Sequence, residues 1–180
     1  MQAVNSFEEL QRQVAQIRAL RLGFITNFFA DPVKHGLWIE KKDCFTERID
    51  NTLFIIKQNP SFWNIFYCST TMEELDKSIE MFQSVHSGTS MIYDIVGRDL
   101  QCQPLVELFK KRGCMELASL VRMTRISESL DYIPDIAIRY ASEEDLPLVS
   151  EYLHRYFNER TEQIPYYEEI VEYAGKGHVL

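Results

Sequence analysis

Hydrophobic positions along the chain change their period several times, and each change marks an element. Leu10, Val14 and Ile17 step by four and three, the spacing of one helix face. Ser6 stands just ahead of them with Glu9 three residues later, which reads as a capping box. The helix runs into the low 20s, where Gly23 weakens it, and Asp31-Pro32 interrupts the pattern. Residues 35–39 read as a short helical turn. Leu53, Phe54, Ile55 and Ile56 form a continuous β-branched and aromatic run, so 52–57 is expected to be a buried strand. Asn59-Pro60-Ser61 supplies a turn. Phe62, Trp63, Ile65, Phe66 and Tyr67 then predict a second strand over 62–68, and the two strands read as an antiparallel hairpin.

The period returns to helical after the hairpin. Thr70 and Thr71 each have a glutamate three residues on, and either can cap a helix with the face Met72, Leu75, Ile79 and Phe82. Ser87-Gly88 closes that segment. Residues 90–96 predict a third strand, ended by Gly97. Pro104 suits a first helical position, where its missing N–H costs nothing. Leu105, Leu108 and Phe109 follow on one side, and Gly113 ends the helix. Leu117, Ser119, Val121 and Met123 alternate, predicting a long strand over 115–124. Residues 127–134 read as a linker and 136–140 as a short strand. Ser142 and Asp145 form a capping-box variant ahead of a helix marked by Leu146, Val149, Leu153 and Tyr156. Pro165 opens another helix over 166–174, closed by Gly175, and 178–180 reads as the start of a strand. The fold class is α+β, a mostly antiparallel sheet flanked by helices, with a strand-helix-helix piece at the C-terminal end.

Composition narrows the function classes. At 46% hydrophobic, 180 residues suffice for one domain with a substantial core and a piece of a second. No run approaches the roughly 20 apolar residues of a membrane span. The first residues show no basic or apolar leader, so a cytoplasmic location with reduced thiols is expected. Cys44, Cys68, Cys102 and Cys114 form no Cys-x-x-Cys and have no histidine at zinc spacing, so no metal site is expected. Cys68 reads as a small core residue. The net charge is −8, and residues 131–180 carry 11 acidic against 4 basic side chains. Such a chain gains nothing from phosphate backbones, so neither nucleic acid nor an anionic membrane is expected as a partner. The basic cluster Lys110-Lys111-Arg112 reads as a helix C-terminus favoured by the macrodipole. His35, His86, His154 and His178 are scattered without ligand spacing. Trp63, Tyr67 and Tyr93, with Asp94 beside them, are candidates to line a cleft between splayed strands. The competing reading is core packing for the aromatics and a backbone-satisfied Asp94.

Two stretches resemble a known family. The order strand, helix, glycine, strand over 90–124 resembles the C-terminal half of the GCN5-related N-acetyltransferase (GNAT) fold, whose last helix ends in Tyr-x-x-x-Gly-Phe. Here that string is Phe109-Lys110-Lys111-Arg112-Gly113-Cys114. Residues 52–68 resemble the family's central antiparallel strands. A second echo, Ile138-Arg139-Tyr140-Ala141-Ser142-Glu143-Glu144-Asp145, is similar to the opening of very many GNAT domains. The resemblance implies a tandem arrangement: a degenerate GNAT-like domain over 1–130, then a linker and the opening of a second domain over 131–180, with the chain read as part of a longer one.

The family binds acetyl-CoA through a glycine-rich loop ahead of a helix, where free backbone N–H groups hold the pyrophosphate. The matching stretch, Ser69 through Leu75, has no glycine and no basic residue, and puts Glu73 and Glu74 in the first helical turn. The family's general acid is the tyrosine of its helix-end string, and Phe109 has no proton to give. No catalytic and no cofactor-binding residue is therefore expected in this chain, and acetyl-CoA is expected only for a complete second domain. The implied function is the N-terminal part of a tandem N-acetyltransferase, not itself catalytic, with a small amine as acceptor of the full-length protein. The alternative is a non-catalytic module that binds a ligand or another protein. A strand and two amphipathic helices cannot bury their apolar faces alone, so self-association through 136–180, giving a dimer, is also expected.

Overall fold

The computed structural model describes residues 1–120 and 139–177. Two compact units divide the chain, Met1–Met115 and Glu116–Leu180. The first is α+β. Its order is β1 (Gln2–Ala3), α1 (Phe7–Ala19), β2 (Ile25–Thr26), α2 (Pro32–Glu40), β3 (Cys44–Ile49), β4 (Thr52–Gln58), β5 (Trp63–Ser69), α3 (Met72–Val85), β6 (Met91–Tyr93) and α4 (Asp99–Lys111).

The six strands make one open mixed sheet with spatial order β1-β3-β4-β5, to which both β2 and β6 attach along β5. The expected hairpin forms: β4 and β5 pair antiparallel from Thr52↔Ser69 to Gln58↔Trp63. Central β4 is buried on both faces from Thr52 to Ile56, which is why its sequence is a continuous apolar run instead of an alternation. Phe54, Ile56, Ile65 and Tyr67 meet Leu75, Ile79 and Phe82 of α3 and Leu108 and Phe109 of α4 in one buried cluster. On the opposite face Phe66 packs against Trp38 of α2 and against Phe28.

Local chemistry fixes most element ends. Ser6 Oγ accepts the N–H of Glu9 as the capping box requires, but the Glu9 carboxylate reaches back to the N–H of Asn5, one residue beyond the cap. Asp31 caps α2 through the N–H groups of Val33 and Lys34, and Pro32 opens it, so the dipeptide starts a nine-residue helix where only a turn over 35–39 was expected. Thr71 caps α3 by accepting the N–H of Glu74. After α4, Gly113 adopts φ +81. Its N–H reaches the Lys110 carbonyl and that of Cys114 the Phe109 carbonyl, the two closing bonds of a Schellman motif.

Several expectations are corrected. Pro104 lies inside α4, which starts at Asp99. The N–H that Pro104 lacks would have bonded the carbonyl of Leu100, a residue 89% exposed, where water can take over. The third strand keeps only Met91–Tyr93 of 90–96. The strand expected from 115 is not formed over 115–120, which has no regular structure and is exposed, with Met115, Leu117 and Leu120 in solvent. Alternation specifies a strand only where a ladder partner lies alongside, and 115–120 has none among the described residues. Residues 121–124, the linker 127–134, residues 136–138 and residues 178–180 lie outside the described residues, and Arg139 and Tyr140 are not in a strand.

In the second unit a 3₁₀ turn (Glu143–Asp145) leads into α5 (Leu146–Tyr156), and α6 (Tyr167–Gly175) follows. The capping box at Ser142 and Asp145 is present. Asp145 also takes both guanidinium N–H groups of Arg139, at 2.6 and 2.7 Å. Leu146 and Ile170 are buried, Val149 and Leu153 half-buried, and Tyr156 is 61% exposed. No helix among the described residues is long and apolar enough to cross a membrane.

Candidate functional site

Strand β5 is paired with β6 in parallel over three residues only, Trp63↔Met91, Asn64↔Ile92 and Ile65↔Tyr93. Beyond Ile65 that edge of β5 passes to residues from the other end of the unit. The carboxamide of Asn27, itself 3% exposed, bridges the two strands. Its nitrogen donates to the carbonyl of Asp94 at 2.8 Å and to that of Ile65 at 3.4 Å, and its oxygen accepts the N–H of Tyr67 at 2.7 Å. Next along β5, Thr26 and Ile25 of β2 pair antiparallel with Cys68 and Ser69. Thr26 Oγ1 donates to the Tyr67 carbonyl at 2.7 Å and sits 3.2 Å from the Cys68 sulfur. At the end of the run Gly23, at φ +114, lies so close to Thr70 that a Cβ would stand 2.4 Å from its carbonyl oxygen. Only glycine fits there. The stretch from Gly23 to Asn27 thus fills the gap between β5 and β6 with main-chain and side-chain hydrogen bonds.

Of the four candidate residues, Tyr67, Tyr93 and Asp94 lie beside this gap and Trp63 does not. Tyr67 is buried in the core cluster, and Trp63 and Tyr93 pack against that cluster. The ring of Tyr93 lies 4.8 Å and that of Tyr67 6.0 Å from Phe109. Burial, reinforced for Tyr67 by nearby Cys102 and Asp94, raises both phenol pKa values above their ordinary range, so both stay protonated. Tyr93 donates to the Met91 sulfur at 3.3 Å. Trp63 sits edge-on to His86 at 5.3 Å, at the far end of β5. Asp94 enters through its main-chain carbonyl, which takes the Asn27 amide. The structure therefore brings Tyr67, Tyr93 and Asp94 to one place and leaves Trp63 at another. A groove along α1 and another at the N-terminal edge are lined by none of the four.

Reading the sequence missed Asn27. The signal was there: an asparagine inside the run Phe24, Ile25, Thr26, Asn27, Phe28, Phe29 is a polar group headed for burial and needs partners for both ends of its amide. At the start of α3, two of the three hydroxyls are taken up by the fold, while that of Thr70 is buried with no hydrogen-bond partner among the described residues. Ser69 Oγ is bonded to Thr52 Oγ1 at 2.7 Å, and Thr71 is the helix cap. Cys68 and Cys44 are buried, and burial pushes their thiols up to about 11 and about 12, so neither is a nucleophile at neutral pH. Among the described residues no group of three or more His, Cys, Asp or Glu side chains is placed to hold a metal ion.

Comparison of the chain with family models, with curated proteins and with solved structures found no match.

Proposed function

We propose that the first unit is a GNAT-like domain that has lost its cofactor site, and that it serves as the non-catalytic N-terminal part of a tandem N-acetyltransferase. The observation that carries this reading is the filled gap. In a parallel strand pair that separates after three residues, the freed β5 edge is where an extended ligand would find main-chain partners, and here Ile25, Thr26 and Asn27 already hold them. The residues present do not fit acetyl-CoA. The turn into α3 offers no glycine and no cation, Thr71 takes one helix-end N–H, and Glu73 and Glu74 set two carboxylates in the first turn, where a diphosphate would be repelled. Phe109 is buried against Tyr67 and Tyr93 and has no proton to transfer. In the second unit the Arg139 and Asp145 positions of the GNAT-like opening string are tied together as a two-bond ion pair around the Ser142 cap, which supports reading that string as one structural device.

The test is calorimetric titration of acetyl-CoA into the full chain. No saturable heat is expected up to millimolar cofactor. A micromolar dissociation constant would overturn the proposal, because the gap and the α3 end would then accept the cofactor after all.

A further inference from the structure

We propose that the groove between α1 and residues 24–30 is a binding site for an apolar monocarboxylate, an acid with a single anionic head and an acyl or aryl body. The groove has a volume of about 440 Å³, within the size range of small-molecule sites. Its walls are Val14, Ala15 and Ala19 of α1 on one side and Phe24, Phe28 and Ala30 on the other, with Gln11 and Arg18 as the two polar members. Phe28 anchors the floor: it is buried, with its ring against those of His35 and Phe66.

Arg18 decides the chemistry of the occupant. Its guanidinium lies over the ring of Phe24, 4.6 Å from the centroid, and makes no ion pair among the described residues. Stacking on an aromatic face uses the flat side of the guanidinium and leaves its N–H donors at the rim free for a planar anion. The carboxylates nearest in sequence, Glu8 and Glu9, are at the other end of α1, and Glu9 is occupied by Asn5 and Gln13. The site thus joins one unpaired, positioned cation to an apolar trough. A carboxylate on an apolar body satisfies both, whereas a cationic amphiphile meets Arg18 and a polar anion wastes the trough. From Arg18 to Gln11 is seven residues of helix, about 10 Å, so the trough suits a medium-length chain lying along α1. This proposal is independent of the filled gap at β5, which lies at a different set of residues.

The experiment is calorimetric titration of the full chain with sodium decanoate and, separately, with decyltrimethylammonium. Decanoate is expected to bind saturably at one site, and the ammonium compound to give no saturable heat. Arg18→Gln is expected to weaken decanoate about tenfold. Ala15→Trp, at an exposed position, should fill the trough and abolish binding, and Gln11→Trp should do the same from the other end if Ala15→Trp fails to fold. Circular dichroism of each variant checks the fold. Absence of saturable decanoate binding, equal binding of the cation, unchanged affinity in Arg18→Gln, or binding that survives a folded trough-filling variant would each overturn the assignment.

Discussion

His35 shows how burial alone sets a residue's response to pH. It is 3% exposed, set among Phe7, Phe28 and Trp38, and its Nδ1 lies 2.8 Å from both the main-chain N–H and the carbonyl oxygen of Asp31. Burial pulls its pKa down to about 4, against the opposing pull of the Asp31 main chain. An unfolded histidine titrates near 6.5. Between these values the unfolded chain holds a proton that the folded chain refuses. Stability is therefore expected to fall as pH drops from about 6.5 to about 4, by roughly 2–3 kcal/mol, and this contribution should level off below that. Urea midpoints across that range measure it. His35→Asn retains an acceptor for the Asp31 N–H and removes the titrating group, so its profile should be flat there, at some loss of ring packing. An unaltered slope in that variant would assign the dependence to another group. Asp76 answers in a different window. Arg112 and Lys111 hold its carboxyl down to about 2, so the stability it brings is lost only as pH falls below about 3.8.

At the scale of elements, the bridge through Asn27 extends the contact between β5 and the end of β6 beyond their three-residue ladder. Asn27→Ala removes the bonds that the side chain makes to the Tyr67 N–H and to the Asp94 carbonyl. It is expected to cost about 2–3 kcal/mol and to speed hydrogen exchange at the Tyr67 amide relative to the β4–β5 ladder. An unchanged exchange rate would show that another group had taken over the bonds. The same elements show which structure sequence patterns can carry. The β4–β5 hairpin and α3 were legible because their apolar spacing, the Thr71 cap and the Asn59-Pro60-Ser61 turn all agree. Strand β3 was not, because Thr46, Glu47 and Arg48 break its apolar signal, and its register comes from pairing with β4. The two-residue β2 has no pattern long enough to read and exists because the β5 edge is there to receive it. Pro104 argued for a later helix start, but α4 begins five residues earlier at Asp99 and forgoes one main-chain hydrogen bond, at the carbonyl of exposed Leu100. The aromatic candidates at β5 and β6 could be named from sequence. That Tyr67 and Tyr93 face Phe109, while Asn27 fills the space beside them, depends on contacts between residues far apart in the chain, up to 67 positions for Asn27 and Asp94.

For the whole molecule, the first unit carries a complete core. Every buried member of the cluster around Phe54, Tyr67 and Phe82 lies between Phe54 and Phe109, the partly buried residues packed against it run from Ile25 to Cys114, and the opposite face is closed by α1 and α2. A chain ended after Met115 is expected to melt in one cooperative transition with intact near-ultraviolet circular dichroism. A broad, non-cooperative melt would show that the unit needs residues beyond Met115 to fold. Within that unit the segment that ends in Asn27 has an effect on solubility as well as on ligands. Without Ile25, Thr26 and the Asn27 amide, β5 would present the unpaired backbone of Tyr67, Cys68 and Ser69, a ready template for strands of neighbouring molecules. The chain covers that edge with its own residues, so the same contact that closes the gap to an extended ligand also closes it to aggregation.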